Sequence, residues 1–434
     1  MDIFVSSLTI LAALFAALSN RDLLSPAKLY LLFFSIFFAG ALTLTSVDLW
    51  LLILLVLLVG VGTACLEAGG AERPAHRRNA RGTERAHLAL WIWVASLPAI
   101  AAQIYIVHLF DGIQGYINMI GNRVLETRGL GPAKTVVSTI SILNLMYFAV
   151  GLTRARSRLW WSAYVFHVLL VLAIGLLSGS RGSTLTVFVM QIFVFHYVRR
   201  RVRLAHALSI AAVLLGFAVV LGVMREGLRV DDAGVTTGLD SSSDPGASLS
   251  TFFLGVQPLK ILVGADDLRL AHGETLLSLV TNVIPRAWWP EKPDTGGVFF
   301  TKVYTDDAWD GASNLTPTFL GEWIMNFGWG AGIACFAVAS AILMYLTIAY
   351  YRRTMAKLRG PVDARTAMDV VVYVYVLWAV VGLMVGEVTN TVQTLVTTQL
   401  IPALVLKALL TRRGGLPAPP RQARMLAPGH AGGA

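Results

Sequence analysis

The residues of this chain best suited to chemistry are arginines set beside glycine and serine at the ends of apolar runs. In Ser178-Gly-Ser-Arg181-Gly-Ser183 the glycines on both sides leave room for a ligand to approach the guanidinium. Further along, Met224-Arg225-Glu226-Gly227-Leu228-Arg229 follows another apolar run. Arg225 and Arg229 are four apart, so they share a face if the helix continues. With Arg181 they would clamp a diphosphate through paired, charge-assisted hydrogen bonds. The competing reading is plainer: interfacial arginines on lipid phosphates, Glu226 as a local ion-pair partner, and Arg181 snorkelling at a tight helical hairpin.

Three further segments carry reactive types. Ile284-Pro-Arg286-Ala-Trp288-Trp289-Pro-Glu-Lys292-Pro293 holds three prolines in nine residues, which forbids a regular helix. Trp288 and Trp289 suit either the headgroup level of a membrane or the faces of sugar rings, and Arg286 and Lys292 add positive charge to the same turn. In Thr316-Pro-Thr-Phe-Leu-Gly321-Glu322-Trp-Ile-Met-Asn326-Phe-Gly328, Glu322 stands where a helix enters an apolar run. A carboxylate desolvated there suits general-base work, or it pairs with an arginine and holds it in place. His272, in Ala271-His272-Gly273-Glu274, is a second possible base, as is Glu226, although a loop histidine is ordinarily just solvated. Asp266-Asp267 and Asp306-Asp307 with Asp310 lack EF-hand spacing and read as solvated loop faces, so no metal site and no cofactor is expected. P-loop, dinucleotide-binding, zinc-protease and serine-elbow motifs are absent, so those hydrolase and nucleotide classes have no support.

The elements that must position these residues follow from composition. The chain has 434 residues, 56% hydrophobic and 14% charged, with a mean hydropathy of +0.67. A soluble domain carries about 25% charged residues. Eleven apolar runs read as membrane-spanning helices: 3–18, 29–45, 49–66, 88–108, 135–152, 159–177, 184–198, 204–223, 325–348, 368–386 and 391–410. The expected fold is therefore an all-α polytopic bundle. Sorting the charges by alternate loops puts 24 basic and 6 acidic residues on one side and 11 basic and 19 acidic on the other. The positive-inside rule makes the first side cytoplasmic. The net charge of +10 is thus a topological signal and gives no reason to expect nucleic acid. Cys65 and Cys335 lie within apolar runs, so no disulfide framework is expected. No basic segment precedes the first run, and a removable signal peptide is not expected. Residues 1–412 form the membrane domain, and 413–434, rich in Gly, Pro and Ala, form a disordered cytoplasmic tail. The outer side carries one long loop, 224–324, with a mobile linker over 231–248 and short helices over 249–263 and 273–284. The smaller outer loop, 109–134, has room for a re-entrant segment. Span seven, with about 15 residues and roughly 22 Å of helix, falls short of the hydrocarbon core, which would recess Arg181 below the outer surface.

In their order, Ser-Gly-Ser-Arg181-Gly, Arg225-Glu226, Ile-Pro-Arg286 with Trp-Pro-Glu-Lys292-Pro, and Thr316-Pro317…Gly321-Glu322…Asn326-Phe-Gly resemble the Wzy-type O-antigen polymerases, which join oligosaccharide repeat units. The resemblance runs to about residue 412. It implies a multi-pass glycosyltransferase of the bacterial inner membrane, with a fold like the GT-C class and its active face in the periplasm. Donor and acceptor would be repeat units on undecaprenyl diphosphate, with membrane lipids and a chain-length-regulating membrane protein as further partners. Arg181, Arg225, Arg229 and Arg286 would then meet the diphosphate where negative charge develops. One dominant outer loop and an odd span count depart from the family pattern. The nearest rival is an O-antigen ligase, which uses the same donor on lipid A–core. A lipid-linked oligosaccharide flippase would instead show polar residues through several spans and short outer loops, and a non-catalytic scaffold has no use for a recessed Arg181.

Overall fold

The computed structural model describes residues 22–38, 46–68, 88–119, 129–177, 181–231, 234–237, 255–282, 284, 286, 288–305 and 315–411; no side chain is described for 36, 181–184, 215 or 217–237. The expected first span (3–18), the Ser178–Ser180 turn, most of the linker (231–248), the aspartates at 306, 307 and 310, and the tail (413–434) lie outside the described residues. The chain runs α1 (Pro26–Phe37), α2 (Val47–Ala68), α3 (Leu88–Leu109), the short α4 (Ile113–Met119), α5 (Gly131–Gly151), α6 (Arg158–Leu177), α7 (Arg181–Val198) and α8 (Leu204–Gly227). A hairpin follows, β1 (Leu228–Asp231) antiparallel to β2 (Gly234–Thr237). Three short helices come next: α9 (Gln257–Gly264), α10 (Glu274–Thr281) and α11 (Gly296–Tyr304). Then come α12 (Thr318–Lys357), α13 (Ala364–Gly382), α14 (Val388–Gln393), a π-helical stretch (Thr394–Leu400) and α15 (Ile401–Thr411).

Apart from that hairpin the protein is an all-α polytopic bundle, and seven of its described helices are long and apolar enough to cross a membrane. Ten of the eleven expected spans coincide with a helix. Leu97, Ile104, Phe166, Leu169, Val338 and Ile342 are each more than half exposed on the flanks of α3, α6 and α12. An apolar belt of that extent needs lipid as its solvent. Inside the bundle α13 is the most enclosed helix: Val370, Val371, Tyr373, Val374 and Leu377 are wholly buried. It packs with α5, α7 and α15 in one core, while α1, α2 and α12 make a second core that takes in Leu259 of α9. Starts are marked locally, by Pro26 and Pro132 in first turns and by Asp363, whose side chain caps Thr366 N at 2.8 Å.

At the arginine-rich end of the bundle a buried cluster fastens the N-terminal segment. Asp22 accepts from His196 Nε2 (2.7 Å), Tyr351 OH (2.8 Å) and Leu24 N (3.0 Å). Val202 N donates to His196 Nδ1 at 3.1 Å, so the ring hydrogen sits on Nε2, facing Asp22. Burial alone would raise the Asp22 carboxyl, but the bonds from His196 and Tyr351 outweigh it and hold the group below its ordinary value.

Three sequence expectations change. α7 begins at Arg181, three residues earlier than the expected span, and its 18 residues make about 27 Å of helix. The shortfall that recessed Arg181 largely disappears, and the residue stands at a helix start. α8 ends at Gly227, so Arg225 is helical while Arg229 lies in β1; the shared helical face does not form. The same hairpin gives regular structure to Gly234–Thr237, at the start of the expected linker. The two expected short helices are present as α9 and α10, and α11 is a third. In the loop expected to be the smaller outer one, Asp111 and Gly112, at φ 56° and 93°, turn the chain from α3 into α4.

Candidate functional site

A buried polar network joins the three short helices to the spans, and it is built on a break in α12. Gly328 has φ 77° and ψ 178°, a conformation essentially open only to glycine. Beside the break, Met325 O accepts from Ala271 N at 2.9 Å. One residue on, Asn326 Oδ1 accepts from Gly273 N (2.9 Å), while Nδ2 donates to Thr275 Oγ1 (2.6 Å) and Glu322 O (2.7 Å). The Asn-Phe-Gly block of the sequence is thus the dock for the first turn of α10. Thr389 Oγ1 donates to Thr275 O (2.9 Å) and accepts from Ser278 Oγ (2.9 Å), which adds α14 to the joint.

Glu322 lies at the centre of this network and is wholly buried. Oε1 accepts from Thr275 Oγ1 at 3.1 Å and Oε2 from Val388 N at 2.5 Å. Its described partners are therefore a hydroxyl and a helix-end amide, and no arginine is among them. A second buried carboxylate, Glu387, accepts from Gly297 N. It is the N-cap residue of α14, and burial raises its carboxyl above the ordinary range against the opposing bonds from Gly297 and Thr295. The two carboxylates are close enough to repel each other. They are tolerated because both face helix N-termini, where the backbone amides and the positive end of the macrodipole favour negative charge. Gly296 allows the approach: a Cβ there would stand 2.7 Å from Glu322 Oε1. Glu387, Thr275 and Gly296-Gly297 were missed by sequence reasoning. The available signal was a lone acid between two apolar runs and a Thr-Gly-Gly helix start.

The other expected residues divide into two groups. His272 is exposed, sits at φ 46°, and caps the network directly before Gly273. Lys292 is 8% exposed and spends its three donors on Asn282 O (3.1 Å), Asn282 Oδ1 (3.1 Å) and Ile284 O (2.7 Å). It clamps the proline turn from within. Burial, with Arg286 nearby, pulls its ammonium below the ordinary lysine value. Arg286 is half-exposed, holding Asp294 Oδ1 at 2.5 Å and Pro290 O at 2.9 Å. Trp288 is 82% exposed and Trp289 39%. Asn282 Nδ2 donates to Gln393 Oε1 at 2.6 Å, fixing this turn to α14 as well. The structure thus brings Glu322, His272, Arg286, Lys292 and the two tryptophans onto one platform around α10. Arg181, Arg225, Glu226 and Arg229 are placed by backbone only: Arg181 opens α7, Arg225 and Glu226 close α8, and Arg229 lies in β1. Because α7 and α8 are consecutive packed helices joined by a short turn, the start of one and the end of the other share an end of the bundle.

Fold and site together define a polytopic helical membrane protein with an ordered platform of short helices packed on its spans. Among known proteins no family model, no curated protein and no solved structure matches this chain. Among the described residues no cluster of His, Cys, Asp and Glu has the grouping to hold a metal ion.

Proposed function

We propose that this protein is a glycosyltransferase of the bacterial inner membrane. In this reading it polymerises oligosaccharide repeat units carried on undecaprenyl diphosphate at the periplasmic face, and releases undecaprenyl diphosphate. The observation that supports the reading is convergence. The Gly321-Glu322…Asn326-Phe-Gly block holds the first turn of α10, and Lys292 of the Arg286…Lys292 block holds Asn282 at its far end, which in turn bonds Gln393 of α14. The platform they make presents a guanidinium, a histidine and two indole faces at its surface.

The acceptor hydroxyl oxygen attacks the anomeric carbon of the donor; the bond to the diphosphate oxygen breaks and its electron pair leaves with undecaprenyl diphosphate. The hydroxyl proton passes to a base. His272 suits that role because its ring is exposed and imidazole is the commonest general base. Glu322, buried with both oxygens bonded, is a positioning residue that fixes α10 and α14 beneath it. Arg286 and the arginine-bearing ends of α7 and α8 supply positive charge for the leaving diphosphate. Trp288 and Trp289 offer faces for sugar rings.

Deleting the gene in its host and separating the surface glycan by gel tests the assignment. Loss of the ladder above a single repeat, restored by the intact gene, is the expected result. Undecorated lipid A–core beside intact lipid-linked polymer would make the protein a ligase, and an unchanged ladder would remove both readings.

A further inference from the structure

α10 is built inside out. Its hydroxyl-bearing residues Thr275, Ser278 and Thr281 are buried, and the first two belong to the network around Glu322 and Thr389. The opposite sector, about 100° wide, holds Leu276, Val280 and Leu277 and no polar residue. Leu277 is 52% exposed and Val280 69%, while Leu276 is half-buried. A helix that lies over a core and faces water has the reverse pattern, with its polar side outward. Glu274, the only charged residue of α10, stands in the first turn at the edge of the apolar sector, where the macrodipole favours it.

The depth at which α10 sits follows from the spans that hold it. Residues 329–348 of α12 make about 30 Å of helix, the thickness of a hydrocarbon core. Beyond them lie Arg352 and Arg353, exposed at the arginine-rich end. The break at Gly328 therefore falls at the opposite edge of the core, and Asn326, on the outer side of the break, holds Gly273 N and Thr275. α13 starts beside its cap Asp363 at the arginine-rich end, and its 19 residues rise about 28 Å to Gly382. Thr389, shortly past that end, bonds Thr275 O and Ser278 Oγ. Both spans put α10 at the edge of the lipid-facing belt. Its apolar sector is also continuous with that belt: Gly273, Leu277 and Val280 lie in one row, and a Cβ on Gly273 would stand 3.9 Å from the ring of Phe327. Phe327 and Trp329 are exposed, Trp329 at the level where interfacial aromatics gather, and Val338 and Ile342 follow on the flank of α12.

We propose that the outward face of α10 lies in the bilayer, with Leu277 and Val280 among lipid acyl chains just below the headgroups of the leaflet opposite the arginine-rich end. The occupant of this face is bulk membrane lipid. An interfacial helix buries its apolar side about 5–10 Å into the boundary between headgroups and acyl chains, and ordinarily turns its polar side to water. α10 turns its polar side into the protein, where Glu322, Asn326 and Thr389 satisfy it. Lipid and the buried network thus hold opposite sides of one helix, and His272, directly before the N-cap Gly273, is kept at headgroup level. The inference does not depend on the glycosyltransferase reading.

The test uses the full chain in nanodiscs of phosphatidylcholine and phosphatidylglycerol, one chain to a disc and without lipid-linked glycan. In a Cys65→Ala, Cys335→Ala background, nitroxides are attached to Leu277→Cys and, separately, Val280→Cys. Val338→Cys gives the mid-span lipid reference and the exposed Arg365→Cys the aqueous one. Power saturation compares collisions with oxygen, which partitions into lipid, and with a water-soluble nickel chelate. At both α10 positions the oxygen-to-nickel ratio should exceed that at position 365 by about threefold or more and stay below that at 338, as a depth of about 5–10 Å requires. A ratio equal to that at 365 would put the face in water, and few collisions with either probe would mean that protein covers it; both results overturn the proposal. Unchanged hydrogen exchange over 274–281 checks that α10 remains docked in each variant. A second measurement needs no substitution: phosphatidylcholine with a diazirine on its acyl chain should label residues 274–281 of the natural sequence on illumination. Label along α12 with none on α10 would refute lipid contact. Neither measurement involves glycosyl transfer, so either reading can fail while the other stands.

Discussion

Replacing Glu322 with glutamine separates a positioning carboxylate from a catalytic one. The glutamine oxygen can keep the bond from Val388 N, but the amide nitrogen then faces Thr275 Oγ1, which already accepts from Asn326 Nδ2. The hydroxyl hydrogen of Thr275 loses its acceptor, and the new amide hydrogens face an oxygen that is already in use. A buried polar group left without its partner costs about 1–3 kcal/mol, which sets the size of the change. Because α10 and α14 are held through these atoms, the cost falls on their docking, and amide exchange there should quicken roughly 5- to 150-fold. Hydrogen-exchange mass spectrometry in nanodiscs reads this over 274–281 and 388–393, beside single-turnover transfer with a saturating lipid-linked donor. For a positioning residue, exchange quickens and apparent donor affinity falls before the chemical step does. Unchanged exchange together with a rate loss of about 10²–10⁴ would refute the reasoning and return the base role to Glu322.

Arg181→Lys keeps the charge but loses the planar fork, so polymer yield should fall strongly while the protein still inserts; near-normal polymer from a well-expressed Arg181→Ala would end that assignment. The charge asymmetry predicts that a cysteine placed at Ser242 reacts with a membrane-impermeant reagent in intact spheroplasts; protection there with labelling at position 200 would invert the topology. Gly328→Ala forces a side chain into a conformation that costs about 1–3 kcal/mol, so protection of α10 should drop while the mid-span amides of α13 keep theirs; equal protection in both proteins would mean that the break is not needed for docking. Glu387 has a raised carboxyl in the folded state, so its contribution favours folding below the ordinary carboxylate range and is lost as pH rises through the raised value. Opening of α11, corrected for intrinsic exchange, should therefore become easier as pH rises above the ordinary carboxylate range, and Glu387→Gln should flatten that trend; a flat wild-type profile would contradict the burial argument.

What the sequence made legible follows from the range of the forces involved. The spans are readable because an apolar run of about 20 residues has few alternatives to a lipid-facing helix, and ten of the eleven coincide with helices. The two short outer helices were legible as moderately apolar runs of the right length. The end of α8 was not: Gly227 permits the change from helix to strand, but nothing nearby in sequence shows that Leu228–Asp231 will pair with Gly234–Thr237. Nor were the roles of Lys292 and Glu322. One is set by carbonyls gathered at a proline-rich turn, the other by Val388 N, 66 residues away. Asn326 and Gly328 were visible as a block, yet their work, opening a helix to receive another backbone, depends on a partner 53 residues earlier.

The burial of Glu322 and Glu387 bears directly on how arginine substitutions can be read. A network of buried carboxylates is ordinarily held by cations, and removing the cation then unfolds the site and mimics loss of catalysis. Here the described partners of the two acids are backbone amides at helix N-termini and threonine hydroxyls. Among the described residues, then, the platform's two acids are held by its own helix ends and hydroxyls, with no arginine as their partner. Arg286 is instead tied through Asp294 to Lys302 on α11. An activity loss from substitution at Arg286 therefore needs Asp294→Asn as its control, since that change frees the guanidinium and keeps it present. If the two variants fail alike, the turn and not the charge was at issue; if only the arginine variant fails, the guanidinium acts on the ligand.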